Sequence, residues 1–293
     1  MRVALLTHHA SATNLGLAAA APPGVSCFLL APDDAARALV DPGDVVVGRL
    51  DVRSTLDGIE PGCDRLEELE ARGVTVLNRS LTLRLAHDKL ATAGVLAASA
   101  VPHPPTVGLL RADERPPLPF PFVLKPRYGS WGRDVVLCVD ELTYGRALAT
   151  YRLRPWFKTC GAVAQQLVPP LGHDLRLVVA GGSVIGAIKR VAKRGEWRTN
   201  VALGAARVPV EPSPHAVDLA LAAAAAIGGD LVGVDILPVS PGRYVVLEVN
   251  GAVDFSAEYA PGGDVYATAM DALVCVGANK PRLLPELAEA AAW

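Results

Sequence analysis

The hydrophobic residues of the first hundred positions alternate between short apolar runs and helix-like segments. Apolar runs that predict β-strands lie at residues 2–7, 25–30, 45–47 and 75–77. Helix-like segments, the last of them one helix or two, lie at residues 15–21, 62–72 and 79–98. Strands that alternate with helices favour a small parallel sheet, and a proline-rich stretch at 101–105 ends this region.

The pattern changes near residue 110. Residues 111–121 contain four prolines and alternating charges, which predicts a linker or an exposed loop. Strands predicted at 122–125 and 135–139 then flank a glycine-containing turn at 127–133. This turn joins a strand to a strand, whereas a P-loop or a Rossmann fingerprint joins a strand to a helix, so the sequence excludes both motifs here.

The C-terminal half is rich in apolar runs that predict further strands. These runs lie at residues 162–168, 175–180, 183–190, 231–237 and 244–249. An alanine-rich helix is predicted at 214–227, and Gly228 with Gly229 ends it. The complete pattern predicts an α/β chain with an N-terminal parallel sheet followed by α+β lobes.

Composition excludes several classes of function. The chain has 293 residues, enough for two domains or more, and a formal net charge of -2. Without a basic excess, neither nucleic acid nor an anionic membrane is an expected partner. Its 5 cysteines are widely spaced without a C-x-x-C pair, which argues against a disulfide framework and a zinc ribbon. With neither a signal-peptide core nor a membrane-spanning apolar run, we expect a cytoplasmic protein.

Two carboxylates face each other in a predicted hairpin. Residues 240–243 separate two apolar runs, and an antiparallel register across this four-residue turn pairs Val239 with Tyr244. The same register places Asp235 directly opposite Glu248. Because two adjacent carboxylates repel each other, burying them is costly unless a cation lies between them.

Asn250 shares a strand face with Glu248, since side chains alternate along a strand. Oxygen ligands without a nearby His or Cys favour Mg²⁺ or Mn²⁺ over zinc. The spacing alone leaves an alternative open, in which one acid faces solvent and the other pairs with an Arg or a Lys.

Other segments offer groups for an anionic or aromatic ligand. Lys125 ends an apolar strand just before a loop of small residues, where it could meet phosphate or simply lie exposed beside a turn. Residues 165–168 end a strand, so they could hold a purine edge or form an ordinary sheet edge. Cationic residues then gather at Arg176, Arg190 and Arg198, which suggests a triphosphate or carboxylate ligand unless they are solvated charges.

In their order along the chain, these segments resemble the ATP-grasp superfamily, specifically its RimK-like carboxylate–amine ligases and most of all the LysX branch. The resemblance covers residues 75–255, with a weaker N-terminal match. It rests on seven segments, which are 76–79 with Asp88-Lys89, 122–126, 129–133, 174–176, 198–200, 233–235 and 248–250.

The resemblance implies an ATP-grasp fold with an N-terminal pre-ATP-grasp domain. The implied lobes are residues 1–80, 81–163 and 164–293, and the implied cofactors are ATP and Mg²⁺, or Mn²⁺ in its place. The implied ATP ligands are Lys89, Lys125, Gly129, Ser130, Trp131, Gly132, Gln165, Gln166, Leu167, Val168 and Asp174. The implied metal ligands are Asp235, Glu248 and Asn250.

The resemblance also assigns catalytic and substrate-binding roles. Arg198 and Asn200 would face the transferred phosphate and the oxyanion. The residues implied in substrate binding are Arg176, Arg190, Gly251 and Asp254. In the N-terminal domain, where the match is weaker, Arg49, Arg53 and Ser54 could meet substrate.

Two departures from the family pattern concern specificity. Gln166 stands where the adenine-binding hinge often carries Glu, which keeps the hydrogen-bonding geometry and loses the charge. Residues 251–256 differ from the corresponding segments of both LysX and RimK. Since this segment borders the acceptor site in the family, we expect a different substrate.

The activity implied is an ATP-dependent ligation that forms an amide through an acyl phosphate, with glutamate or a similar amino acid as one substrate. The amine partner could be a free amino acid, or a carrier protein could supply its C-terminus. Two rivals stay open: a dinucleotide-dependent enzyme, which lacks a G-x-G-x-x-G after residues 2–7, and a nucleotide-binding module without activity. The family also leads us to expect a homo-oligomer, a dimer or a tetramer.

Overall fold

The computed structural model describes residues 1–35, 40–110 and 116–279. Part of the predicted linker, residues 111–115, therefore lies outside the described residues. Three sheets follow one another along the chain. Among the helices described, none is long and apolar enough to cross a membrane.

The N-terminal sheet is parallel, as predicted, with the strand order β2-β1-β3-β4. Its strands are β1 (Arg2–Leu6), β2 (Ser26–Leu30), β3 (Val45–Gly48) and β4 (Thr75–Leu77). Its helices are α1 (Ala12–Ala19) and α2 (Cys63–Ala71). All four residues of β3 are buried, which explains why the central strands are continuous apolar runs without polar alternation.

The predicted helical segment 79–98 forms two helices, α3 (Ser80–His87) and α4 (Lys89–Ala98). The break falls at Asp88, whose backbone is extended. The Asp88 carboxylate accepts hydrogen bonds from the backbone N–H groups of Leu90 and Ala91, so it caps α4. Asp88 thus fixes where α4 begins, with Lys89 as its first residue.

The central sheet is antiparallel and has the strand order β5-β8-β6-β7. Its strands are β5 (Thr106–Leu109), β6 (Phe122–Pro126), β7 (Val136–Cys138) and β8 (Ala162–Gln166). The helices α5 (Glu141–Tyr151) and α6 (Pro155–Cys160) pack aromatic residues against it. The sequence patterns predicted neither β5 nor these two helices.

The C-terminal sheet is antiparallel, with the strand order β11-β10-β9-β12-β13. Its strands are β9 (His173–Ala180), β10 (Ser183–Val191), β11 (Ala206–Pro209), β12 (Leu231–Ser240) and β13 (Arg243–Asn250). Helix α7 (Pro214–Ile227) packs its buried alanines on one face, and α8 (Val265–Asn279) covers the other. Helix α7 has its predicted bounds, because Gly228 adopts the left-handed conformation that ends it.

The division of the chain at residues 80 and 163 stays a prediction. The three sheets occur in the order of the three predicted lobes. The predicted boundary after residue 163 falls within β8, a strand of the central sheet.

The β12–β13 hairpin confirms one predicted pairing and corrects another. Asp235 lies opposite Glu248, as predicted. Val239 does not pair with Tyr244, however, because Pro238 takes that position and Ser240 pairs with Arg243. The turn therefore has two residues instead of four.

Two register shifts reconcile these observations. Pro238 pairs with Tyr244 and Ser240 with Arg243, so Val239 is an additional residue on β12. Ile236 pairs with Val246, whereas its neighbour Asp235 pairs with Glu248, so Leu247 is an additional residue on β13. The second shift cancels the first, so the predicted pairing of the acids holds although the pairing nearer the turn does not.

Candidate active site

A pocket opens between the central and C-terminal sheets, and it collects most of the residues that the sequence singles out. All eleven predicted ATP ligands, from Lys89 to Asp174, line it. Five other predicted site residues also line it, namely Arg190, Arg198, Asn200, Asp235 and Glu248. Apolar side chains from both sheets complete the walls, among them Val123, Leu237 and Leu247. A flat aromatic ring with a polyphosphate would match such a mixture of apolar walls and convergent polar groups.

Lys125 ends β6 inside the protein, because its side chain is almost fully buried. Its Nζ donates a hydrogen bond of 2.8 Å to Gln165 Oε1, and Gln165 Nε2 in turn donates to Thr106 Oγ1. Burial lowers the pKa of Lys125 to about 8, although Glu248 opposes this effect. Gln165 therefore positions the lysine in addition to lining the pocket.

ATP binding is expected to take up a proton in alkaline solution. Above a pKa of about 8, Lys125 of the free protein loses its charge, whereas adjacent phosphate favours the charged form. Affinity for ATP should thus be full below this pKa and fall above it. Calorimetric titration with an ATP analogue, in buffers of different ionisation enthalpy, should show more proton uptake at about pH 9 than at about pH 7. Lys125→Met should lose this difference, and equal uptake by both proteins would contradict the assignment.

Lys89 approaches the pocket from the first turn of α4. Its Nζ donates a 2.6 Å hydrogen bond to the backbone oxygen of Gly129 and lies 3.5 Å from Glu248 Oε2. Behind it, Asp88 forms a two-point ion pair with Arg127. The second lysine is thus held against the loop that follows β6.

That loop, residues 129–133, bridges the other two parts of the molecule, and we call it the flap. Arg133 Nη2 donates a 2.8 Å hydrogen bond to the Ser54 backbone oxygen in the N-terminal region. Arg198 Nη1 donates a 3.1 Å hydrogen bond to the Gly132 backbone oxygen from the opposite side. Gly132 has a φ of +70°, and a Cβ there would come within 2.7 Å of Asn200 Oδ1, so this position requires glycine.

Arg198 and Asn200 reach the pocket from the segment after β10. Glu196 binds the Arg198 guanidinium through both carboxylate oxygens, at 3.0 and 2.8 Å. Hydrogen bonding from Arg198 lowers the pKa of Glu196 to about 2. Glu196 was not among the predicted site residues, although it lies only two residues before Arg198 in the sequence.

A buried group of two acids and two arginines lies beneath the pocket, in neighbouring strands of the C-terminal sheet. Cross-strand pairing places Asp174 opposite Arg190, and Arg176 opposite Asp235. Arg176 donates to both oxygens of Asp235, at 2.6 and 2.7 Å, and Arg190 donates to Asp235 Oδ2 at 2.8 Å. We call these four residues the buried ion-pair cluster.

The two acids of the cluster are shifted in opposite directions, since burial raises the pKa of Asp174 and the arginines lower that of Asp235. Burial would raise the pKa of Asp235, but the charges of Arg176 and Arg190 outweigh burial and hold it well below its usual range. Asp174 is 0% exposed, and its carboxylate is bound by Arg190 and by the Thr199 hydroxyl. The roles implied for these residues, at the ribose, the metal and the substrate carboxylate, stay predictions.

Whether the acids suit a divalent cation depends on the oxygens left available. Both Asp235 oxygens accept hydrogen bonds from arginine, whereas Glu248 has Lys89 as its neighbour at 3.5 Å. Asn250 lies on the same face of β13, and its Nδ2 donates to the Gly233 oxygen at 3.4 Å. Magnesium is typically held by one or two carboxylates together with substrate phosphates, so this oxygen-only set fits it.

Within the described parts of the chain, no cluster of three His, Cys, Asp or Glu side chains could hold a metal by itself.

The other predicted substrate-binding residues lie elsewhere. Gly251 packs against α3, where a Cβ would come within 2.8 Å of Leu83, and its carbonyl accepts a hydrogen bond from Asn78. Asp254 lines a second pocket on the N-terminal side of the flap. Neither residue therefore lies in the pocket that holds the predicted ATP ligands.

The four residues implied as an adenine-binding hinge, 165–168, line one wall of the pocket, and their role at adenine stays a prediction. Strand β8 ends at Gln166, and Leu167 and Val168 continue along the pocket wall. Gln166 Nε2 donates a 2.8 Å hydrogen bond to the Pro121 backbone oxygen. Because a glutamate could not donate this bond, the structure gives a reason for Gln at this position.

Known proteins of two groups are similar to this chain in sequence. Alpha-aminoadipate–LysW ligase LysX of Sulfolobus acidocaldarius is 33% identical over 196 residues, which cover 64% of this chain and 68% of that protein. Probable alpha-L-glutamate ligase 2 of Hahella chejuensis is 31% identical over 230 residues, which cover 75% of this chain and 74% of that protein.

Solved structures share the fold. The RimK domain ATP-grasp protein of Sphaerobacter thermophilus has a TM-score of 0.66 at 22% identity, over 94% of this chain and 100% of that one. ATP-grasp ligase PsnB, solved with a minimal precursor, Mg and ADP, has a TM-score of 0.64 at 17% identity, over 94% and 98%. Residues 86–267 match the RimK-like ATP-grasp domain. This chain therefore belongs to the RimK-like ATP-grasp ligases, which confirms the fold and the family expected from its sequence.

Proposed function

We propose that this ATP-grasp ligase joins the carboxylate of one substrate to the amino group of another, with glutamate or a similar amino acid as one of the two. The observation that carries the proposal is the pocket itself. It places two lysines, Lys89 and Lys125, and the Glu248 carboxylate around one space that the flap covers. Cationic groups of this kind neutralise polyphosphate charge.

In the proposed reaction, a substrate carboxylate oxygen attacks the γ-phosphorus of ATP, and the bond to the bridging oxygen of ADP breaks. The amino group, after losing a proton, then attacks the acyl carbon. The phosphate leaves with the original carboxylate oxygen. The products are the amide, ADP, phosphate and one proton, so the charges and atoms balance.

The side chains in and beside the pocket suit the separate tasks of this reaction. Lys89 and Lys125 bind phosphate oxygens. Glu248 and Asp235, which line the pocket, and Asn250, which follows Glu248 on β13 but does not line it, are the groups that would hold Mg²⁺, or Mn²⁺ in its place. The bound ion would neutralise charge on the phosphates. Arg198 is held by Glu196 beside the flap, where it can stabilise the developing oxyanion.

The flap protects the reaction from water. Its hydrogen bonds to Ser54 on one side and Arg198 on the other hold it across the pocket. An acyl phosphate in open solvent would hydrolyse, so closure is required for transfer to an amine.

ADP release is expected only when both a carboxylate substrate and an amine substrate are present. The test is a screen for phosphate and ADP with amino acids supplied singly and in pairs, with products identified by mass spectrometry. An N-acetylated amino acid supplied alone should give little ADP, because it has a carboxylate but no amino group to accept the acyl phosphate. An amide product with a free amino acid would confirm the proposal in its simplest form.

A carrier protein that supplies its C-terminus is the second candidate for one of the two substrates, since relatives of this chain are named for ligation to LysW. Turnover only with such a carrier, and with no amino-acid pair, would favour this alternative. ATP binding without turnover under either condition would contradict ligase activity and favour a nucleotide-binding module.

A further inference from the structure

The segment between β10 and β11 carries Arg198 and Asn200, the two side chains with catalytic roles in the proposed ligation. Residues 192–200 of this segment form neither a helix nor a strand. Their backbone therefore lacks the regular hydrogen bonds that hold the strands of the sheet in place. Contacts of individual side chains must decide where Arg198 and Asn200 lie.

The hydrogen bonds of Arg198 do not attach it to the C-terminal sheet. Its backbone N–H and its guanidinium both donate to Glu196, which belongs to the same segment. Its Nη1 donates to the Gly132 backbone oxygen, which belongs to the flap. A further contact is needed to fix Arg198 relative to the strands that carry the acids.

Thr199 makes that contact. Its hydroxyl donates a 2.5 Å hydrogen bond to Oδ2 of Asp174, a residue of β9. Among the described residues, no other side chain in 196–200 donates a hydrogen bond to a strand of the C-terminal sheet. Because the acceptor is a carboxylate in a buried site, this bond is stronger than one between two neutral groups.

Asp174 is a rigid acceptor for this bond. It is 0% exposed, and Arg190 donates to both of its carboxylate oxygens. Arg190 also donates to Asp235 Oδ2 at 2.8 Å, so Asp174 belongs to the buried ion-pair cluster that joins three strands. A hydroxyl bound to a carboxylate that is held in this way has one well-defined position.

The contacts alternate along residues 198–200. Arg198 Nη1 lies 3.1 Å from the Gly132 oxygen, and Asn200 Oδ1 lies where a Cβ at Gly132 would come within 2.7 Å. Thr199, between them, contacts Asp174 instead. Successive side chains of extended backbone point in opposite directions, so fixing the middle residue directs both of its neighbours toward the flap.

We propose that Thr199 is a positioning residue for the ligation, whose hydrogen bond to Asp174 holds Arg198 and Asn200 toward the flap and the transferred phosphate. The inference rests on the proposed ligase function, which gives these two neighbours their catalytic roles. Misplacing a catalytic group by about 1 Å lowers a rate about 100-fold. Loss of the Thr199 hydroxyl should therefore slow the reaction without weakening ATP binding.

Thr199→Val removes the hydroxyl and keeps the size of the side chain. It should lower kcat roughly 10-fold to 100-fold and leave the KM for ATP unchanged. Thr199→Ser keeps the hydroxyl and should retain most of the kcat of the wild type. Thr150→Val makes the same change at an exposed position of α5, outside the pocket, and should have the kcat of the wild type. Equal kcat values for Thr199→Val and the wild type would contradict the inference.

A double-mutant cycle tests whether Thr199 acts through Arg198. In an Arg198→Met background, Thr199→Val should lower kcat by a smaller factor than in the wild type, because one of the side chains that it positions is missing. The same reduction in both backgrounds would show that Thr199 acts independently of Arg198.

Hydrogen exchange measured by mass spectrometry gives a readout that does not require turnover. In the full-length chain without substrates, the amides of residues 196–203 should exchange faster in Thr199→Val than in the wild type. Thr199→Ser should restore the slow exchange. Equal exchange in Thr199→Val and the wild type would overturn the inference, whereas absence of ADP from the wild type in the screen would overturn the proposed function, so the two failures are distinguishable.

Discussion

Glu248→Gln is expected to lower ADP formation at least about 100-fold while leaving the protein folded. Glu248 is the pocket carboxylate that is not engaged by arginine, so its negative charge remains available for a cation on the phosphates. Loss of several kcal/mol of charge stabilisation in the transition state corresponds to a rate loss of this size. The measurement is the rate of ADP release with the substrates found in the screen.

A measurement of stability distinguishes this loss of activity from unfolding of the variant. The partly exposed pair between Glu248 and Lys89, at 3.5 Å, contributes about 1 kcal/mol or less, so the midpoint of unfolding should barely move. Glu211→Gln provides a matched control, because it makes the same acid-to-amide change at an exposed position outside the pocket. Full activity of Glu248→Gln at limiting magnesium would show that Glu248 is not a metal ligand.

The hairpin shows what sequence alone could and could not predict. Two apolar runs joined by a short turn were sufficient to place Asp235 opposite Glu248. The pairing nearer the turn was wrong, because the additional residues Val239 on β12 and Leu247 on β13 depend on how the two strands twist together and leave no mark in the apolar pattern. The acids were paired correctly because these two register shifts cancel each other.

Side-chain contacts between strands that lie far apart in the sequence could not be predicted from the sequence patterns. Arg176 and Arg190 looked like groups free to meet a substrate, but strand order brings them to Asp235, 59 and 45 residues away along the chain. Strand order is a property of the whole sheet, and charge spacing within one strand does not reveal it. For the same reason, the burial of Arg49 became visible only when the segment around Val253 was seen packed against it.

Strand order also changes what a substitution at Asp235 would test. From spacing alone, Asp235→Ala removes a metal ligand and leaves the rest of the protein intact. In the structure, it also removes the carboxylate that accepts two hydrogen bonds from Arg176 and one from Arg190. A loss of activity in this variant would therefore not distinguish a metal ligand from a structural acid.

Asp235→Ala is expected to lower the free energy of unfolding by about 3 kcal/mol, because it leaves a largely buried guanidinium, 19% exposed at Arg176, without its partner. Arg190 keeps Asp174, so the cost should arise mainly at Arg176. The measurement is urea unfolding of Asp235→Ala, of Arg176→Met and of the double variant. If the cluster is coupled as the contacts indicate, the double variant should lose less than the sum of the single losses. Strict additivity would show that the two residues do not stabilise each other.

The difference in stability between the wild type and Asp235→Ala should also depend on pH. Since the pKa of Asp235 is held below its ordinary value of 3.8, the greater unfolding free energy of the wild type should persist above that pH and decline only as the pH falls further.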